Sequence, residues 1–101
     1  MFAKGRTLSV GSYYPIKIDW EADAWDDYVG WQIDKAILTR INLLIKDIQR
    51  TPFEGIAKPE PLRHQLSGSW SRRIDDANRL VYVVENDILT IVQCRGHYSP
   101  H

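Results

Sequence analysis

Six apolar residues, Ile37, Leu38, Ile41, Leu44, Ile45 and Ile48, recur at i, i+1, i+4, i+7, i+8 and i+11. This spacing predicts one long amphipathic helix, because residues three and four apart share a helical face. Asp34 stands where an N-cap accepts from the first unpaired N–H groups, and Thr51-Pro52 stops the helix near Arg50. After residue 68 the period changes to 2. Ser69–Ile74 sets Trp70, Arg72 and Ile74 against Ser71 and Arg73, and Arg79–Val84 sets Arg79, Val81 and Val83 against Leu80, Tyr82 and Val84. Ile88–Arg95 reads as the last strand. Asp75-Asp76-Ala77-Asn78 and Glu85-Asn86-Asp87 carry turn chemistry between these runs. A helical stretch followed by a run of three strands joined by tight turns folds as α+β.

The N-terminal half supplies the remaining elements. Ile16–Trp20 alternates as a short strand, and an acid-rich helix follows from about Glu21 to Gln32, with Trp25, Tyr28, Val29 and, at its end, Gln32 as its expected buried stripe. The close junction at Asp34 predicts a helical hairpin. The expected architecture is that hairpin packed on a small antiparallel sheet, with the sheet's other face left to Arg73, Arg79 and the C-terminal residues. Residues 1–15 lack periodicity and read as an N-terminal arm, 16–98 as a single domain and 99–101 as a tail.

Composition narrows the function. A chain of 101 residues has room for one core. Formal net charge is zero, so binding to nucleic acid requires a local patch rather than bulk charge. Acids crowd into Asp19–Asp34 and bases into Lys58–Arg79. The single Cys94 excludes an intramolecular disulfide and fits a reducing cytoplasm. No apolar run approaches the ~20 residues of a membrane span, and no hydrophobic leader region opens the chain.

The local patch is KPEPLRHQLSGSWSRR, residues 58–73, where Lys58, Arg63, Arg72 and Arg73 stand against one acid, Glu60. Pro59 and Pro61 fix φ on both sides of Glu60 and hold it on stiff, extended backbone. A carboxylate held beside guanidinium groups suits acid–base chemistry on a phosphate. A solvated basic loop with one stray acid carries the same letters.

Taken with Arg79, His97 and Tyr98, the patch offers a base, a phosphate clamp, a titrating acid and a stacking surface. Each member also has an ordinary reading. Strand arginines more often pair with surface acids, a terminal His is usually just exposed, and Tyr is usually packing. Cys94, His97, His64 and His101 show no paired ligand spacing, so no metal and no cofactor is expected. Cys94, in an apolar strand, reads as a small core residue.

KIDWEADAWDDYVGWQ, RTPFEGIAKPEPLRHQLSGSWSRRI, NRLVYVV and CRGHY closely resemble the YoeB toxins (Txe/YoeB family) of the RelE superfamily. The resemblance spans roughly Lys17 to Tyr98. It implies a RelE-like, microbial-ribonuclease-like α+β fold and the toxin of a bacterial type II toxin–antitoxin pair. Such toxins cut mRNA in the ribosomal A site, act in the cytoplasm and are neutralised by a YefM-like antitoxin. A homodimer is implied, as is operator DNA binding through the antitoxin. By the same resemblance Glu60 is the general base, His97 the general acid and Arg79 the residue stabilising the scissile phosphate. Arg63, Arg73, Tyr98, Lys58 and Arg72 are the expected substrate-binding residues. Three departures stand out: residues 99–101 continue past the usual terminal Tyr, Gly96 replaces a common aromatic, and residues 1–15 have no counterpart. The rival within the fold is a ParE-like toxin that is not an RNase; outside it, a non-catalytic RNA- or ribosome-binding module.

Overall fold

A computed structural model describes residues 16–63 and 68–97. The order is β1 (Lys17–Trp20), α1 (Ala22–Gly30), a 3-10 turn (Trp31–Ile33), α2 (Lys35–Arg50), β2 (Glu60–Pro61), β3 (Trp70–Arg73), β4 (Arg79–Glu85) and β5 (Ile88–Gln93). The strands form one sheet in the order β1-β5-β4-β3-β2. Strands β2 to β5 pair antiparallel, as the turn signals require. β1 joins β5 in parallel, so the sheet is mixed rather than wholly antiparallel. The two helices between β1 and the meander carry the chain across the sheet, and the strand they leave behind joins its far edge.

α2 forms as its spacing predicts. The Asp34 carboxylate accepts from the Ile37 N–H at 3.2 Å, and Ile41, Leu44, Ile45 and Ile48 are buried. They share one core with Leu80, Tyr82, Leu89 and Ile91 of the sheet. Alternation decides this: Leu80 and Tyr82 point to the helices, while Arg79 and Val81 point away.

α1 departs from expectation. Its fully buried residue is Ala24, while Trp25 and Val29 remain half-exposed. Tyr28 of the expected stripe does pack against the core, and the chain tightens to a 3-10 turn after Gly30. Trp25 instead joins an aromatic cluster, its ring 5.6 Å from Trp20 and 5.8 Å from Tyr28.

Candidate active site

The register of β2, β3 and β4 determines which side chains share the face turned away from the helices. Glu60 pairs with Ser71, Ser71 with Val81, and Arg73 with Arg79. Because side chains alternate, Glu60, Ser71, Arg73, Arg79 and Val81 all lie on that face. The Arg79 guanidinium stands 3.8 Å from the Glu60 carboxylate, with the arginine side chain 28% and the glutamate 58% exposed. That separation is an ion pair without a hydrogen bond, so the guanidinium keeps its donors for another acceptor. Two residues so open to water stabilise the fold by no more than about 1 kcal/mol.

The C-terminal segment reaches the same place through the main chain. The Arg79 N–H donates to the Gly96 carbonyl at 2.9 Å, which sets His97 one residue from Arg79. The Gly96 N–H in turn donates to the Asn78 side chain at 2.8 Å. Gly96 has φ +80, in the left-handed region, where an L side chain is strained. The glycine at this position therefore serves the turn that delivers His97. Further back, Trp31 Nε1 donates to the Cys94 carbonyl at 2.9 Å, and the Arg95 guanidinium lies 5.0 Å over the Trp31 ring. Gln93 Nε2 donates to the carbonyls of Arg95, Gly96 and His97. His97 itself is exposed.

The remaining candidates divide. Lys58 and Arg63 are exposed on either side of β2. Arg73 is half-exposed and forms an ion pair with Asp76, itself almost fully open to solvent, so that pair exchanges readily for another anion. Tyr98 lies outside the described residues, as do His64 and His101. Among the described residues no cluster of three His, Cys, Asp or Glu side chains could hold a metal ion.

Arg72 requires a correction. It was expected to bind substrate, but its side chain is fully buried, on the helix-facing side of β3 and opposite to Glu60. It pairs there with Asp47 of α2 and touches the hydroxyl of Tyr82. The alternation of WSRR already put Arg72 with Trp70 and apart from Arg73, but charge made it look like a phosphate ligand. Burial alone would push the Asp47 carboxyl up; the Arg72 hydrogen bond, the Ile56 N–H and the charges of Arg72 and Arg50 outweigh it and hold the carboxyl below its ordinary 3.8. The Tyr82 hydroxyl is raised by burial, with Arg72 opposing the shift.

Cys94 is a core residue, as expected, and burial together with the Asp27 charge pushes its thiol up to about 12. Sequence reasoning missed Asp47, Asn78 and Trp31, which touch no candidate ligand but hold the segments that do. Asn78 carried a signal, since it closes an Asp75 turn immediately before Arg79.

Comparison with known proteins places the chain in a family. Residues 20–98 match the family described as YoeB-like toxin of bacterial type II toxin-antitoxin system. The chain is 58% identical to Toxin YoeB of Escherichia coli (strain K12) over 84 residues, 82% of this chain and all of that protein. Toxin YoeB of Streptomyces coelicolor is 54% identical over the same share of each. Among solved structures, a YoeB/ParE toxin from Agrobacterium tumefaciens superposes with a TM-score of 0.80 at 45% identity, over 82% of this chain and 100% of that one. A YoeB dimer from Staphylococcus aureus gives 0.78 at 40% identity, over 84% and 100%, and a YoeB-YefM complex from the same organism gives 0.77 at 39%, with the same coverage. The chain belongs to the family of YoeB-like toxins of bacterial type II toxin–antitoxin systems.

Proposed function

We propose that this toxin is a metal-independent endoribonuclease that cuts mRNA in the ribosomal A site and so stops translation. The observation that carries the reading is Arg79, whose guanidinium faces Glu60 while its main chain is bonded to the residue before His97. Glu60 takes the proton of a ribose 2′-OH, and the freed oxygen attacks the adjacent phosphorus. Arg79 stabilises the dianionic phosphorane, and His97 protonates the departing 5′-oxygen, leaving a 2′,3′-cyclic phosphate and a 5′-hydroxyl. Lys58, Arg63 and Arg73 supply charge to neighbouring phosphates, and Tyr98 supplies a ring for base stacking.

A shallow, exposed site provides little positioning of its own. Ribosome-bound mRNA arrives already ordered, and positioning of that kind is worth as much as about 7–11 kcal/mol. Free RNA is therefore cut slowly. The solved YoeB-YefM complex and YoeB dimer of S. aureus support two partners for this chain, a YefM-like antitoxin and a second copy. The antitoxin is acidic, folds across the basic face and carries the complex to operator DNA in the bacterial cytoplasm.

In vitro translation with mapping of mRNA ends tests the proposal, using the wild type, Glu60→Ala and His97→Gln. Wild type should produce discrete A-site ends that both variants lose. Absence of A-site ends with the wild type, together with toxicity that His97→Gln leaves unchanged, would favour a ParE-like toxin that is not an RNase. A Glu60→Gln variant that binds RNA more tightly and remains equally toxic would favour a non-catalytic binding module.

A further inference from the structure

Arg72 is more than a buried charge. Its guanidinium has five N–H donors, and every one has an acceptor. Nε donates to the Tyr82 hydroxyl at 3.2 Å. One terminal nitrogen donates to Asp47 Oδ2 at 2.5 Å and to the Ile56 carbonyl at 3.2 Å. The other donates to the carbonyls of Thr51 at 2.6 Å and Glu54 at 2.8 Å. Three of the five therefore bind main-chain oxygens of a single segment, the irregular stretch between α2 and Glu60.

That segment has almost no regular secondary structure of its own. β2 comprises only Glu60 and Pro61, and Pro61 and the neighbouring Pro59 have no N–H to give a ladder. Ala57 and Lys58 both sit in the left-handed region, at φ 66 and 54, which non-glycine residues keep only where their surroundings fix them. Their surroundings are Arg72 on the Ile56 carbonyl and the Arg73 N–H on the Ala57 carbonyl at 2.9 Å. The Ile56 N–H donates to Asp47 at 3.1 Å, and Tyr82 donates to the Pro52 carbonyl at 2.7 Å. Gly55 lies directly on the ion pair: a Cβ there would collide with the Asp47 carboxylate and come within 3.2 Å of Arg72. Burying a cation is costly, and an apolar side chain of equal size fills a core as well or better. What the arginine adds is a set of donors for backbone that has no sheet or helix to join.

We propose that Arg72 is a positioning residue for Glu60. By holding the carbonyls of Thr51, Glu54 and Ile56 it fixes how the strained Ala57–Lys58 step enters β2, and hence where the Glu60 carboxylate stands relative to Arg79. The proposal rests on the reading of Glu60 as the base.

A double-mutant cycle on ribosomes programmed with mRNA tests it, using the full chain, Arg72→Lys, Glu60→Gln and the two together. A lysine keeps the charge but cannot span three carbonyls. Alone, it should lower the cleavage rate at saturating ribosomes by about 30-fold, with half-saturation moved by less than about 2-fold. In the Glu60→Gln background the same change should cost less than about 3-fold, because the group it positions is already gone. Equal losses in both backgrounds, or no loss in either, would overturn the positioning role. If Glu60→Gln alone leaves cleavage intact, it is the reading of Glu60 as the base that fails. Should Arg72→Lys not fold, as judged by a cooperative melt, Asp47→Asn goes through the same cycle. It leaves Arg72 in place without its counter-charge, and the same non-additivity is expected.

Discussion

The Arg79 guanidinium and the Glu60 carboxylate stand 3.8 Å apart, close enough to attract and too far to share a hydrogen bond. Neighbouring strands bring them there, β4 and β2 on the two sides of β3. The remaining gap and exposure leave the arginine able to turn to a phosphate. In the closer Arg72–Asp47 pair the donors are spent within the protein.

Two arginines on this face should therefore differ in weight. Arg79→Ala should lower ribosome-dependent cleavage by about 100- to 1,000-fold, the loss expected for one aimed stabilising donor. Arg73→Ala, which gives up a residue already shared with Asp76, should cost less than about 10-fold and act mainly on half-saturation. Initial rates against ribosome concentration distinguish the two.

The Asp47 carboxyl gives the fold a defined acid limit. Its folded pKa lies below the ordinary 3.8, so its stabilisation is complete above that value and disappears as pH falls through the lower one. Near neutral pH, Asp47→Asn should destabilise the protein by about 3–5 kcal/mol, since it strands a buried guanidinium. The difference in melting temperature between wild type and variant should narrow below pH 3.8. Melts from pH 2 to 7 measure it.

The thiol of Cys94 should be inert in the native state. With its pKa pushed up to about 12 and the side chain fully buried, the nucleophilic thiolate is scarce at pH 8. Labelling by an aromatic disulfide reagent should follow global unfolding. Rapid reaction without denaturant would contradict the burial of β5's end.

Capping of α2 gives a smaller effect. Asp34→Ala removes the acceptor for the Ile37 N–H and should lower stability by about 1 kcal/mol, read from urea denaturation. Cleavage should not change, because Asp34 caps the far end of α2 from Thr51, where the segment leading to Glu60 begins.

Much of this molecule was legible beforehand because it follows periodicity. The apolar spacing of α2, the Asp34 cap and the alternation of β3 and β4 are local patterns, and the structure contains them. The parallel pairing of β1 with β5 was not legible, since no local residue encodes a partner some seventy positions away. Arg72 shows the same limit at the level of chemistry: letters alone do not separate a cation aimed at solvent from one buried on Asp47. Trp31 was missed because it acts on a backbone carbonyl, which leaves no mark on side-chain patterns, and the turn chemistry around Asn78 did not show that its side chain would accept from the Gly96 N–H.

The most direct test of the central claim is the rate of mRNA cleavage on programmed ribosomes by wild type, Glu60→Gln and His97→Gln, with ribosome binding measured in parallel. Each substitution should slow cleavage by about 100- to 10,000-fold while binding stays within a few-fold of wild type. Wild-type cleavage by either variant would contradict the assignment of Glu60 and His97 as the groups that move the protons.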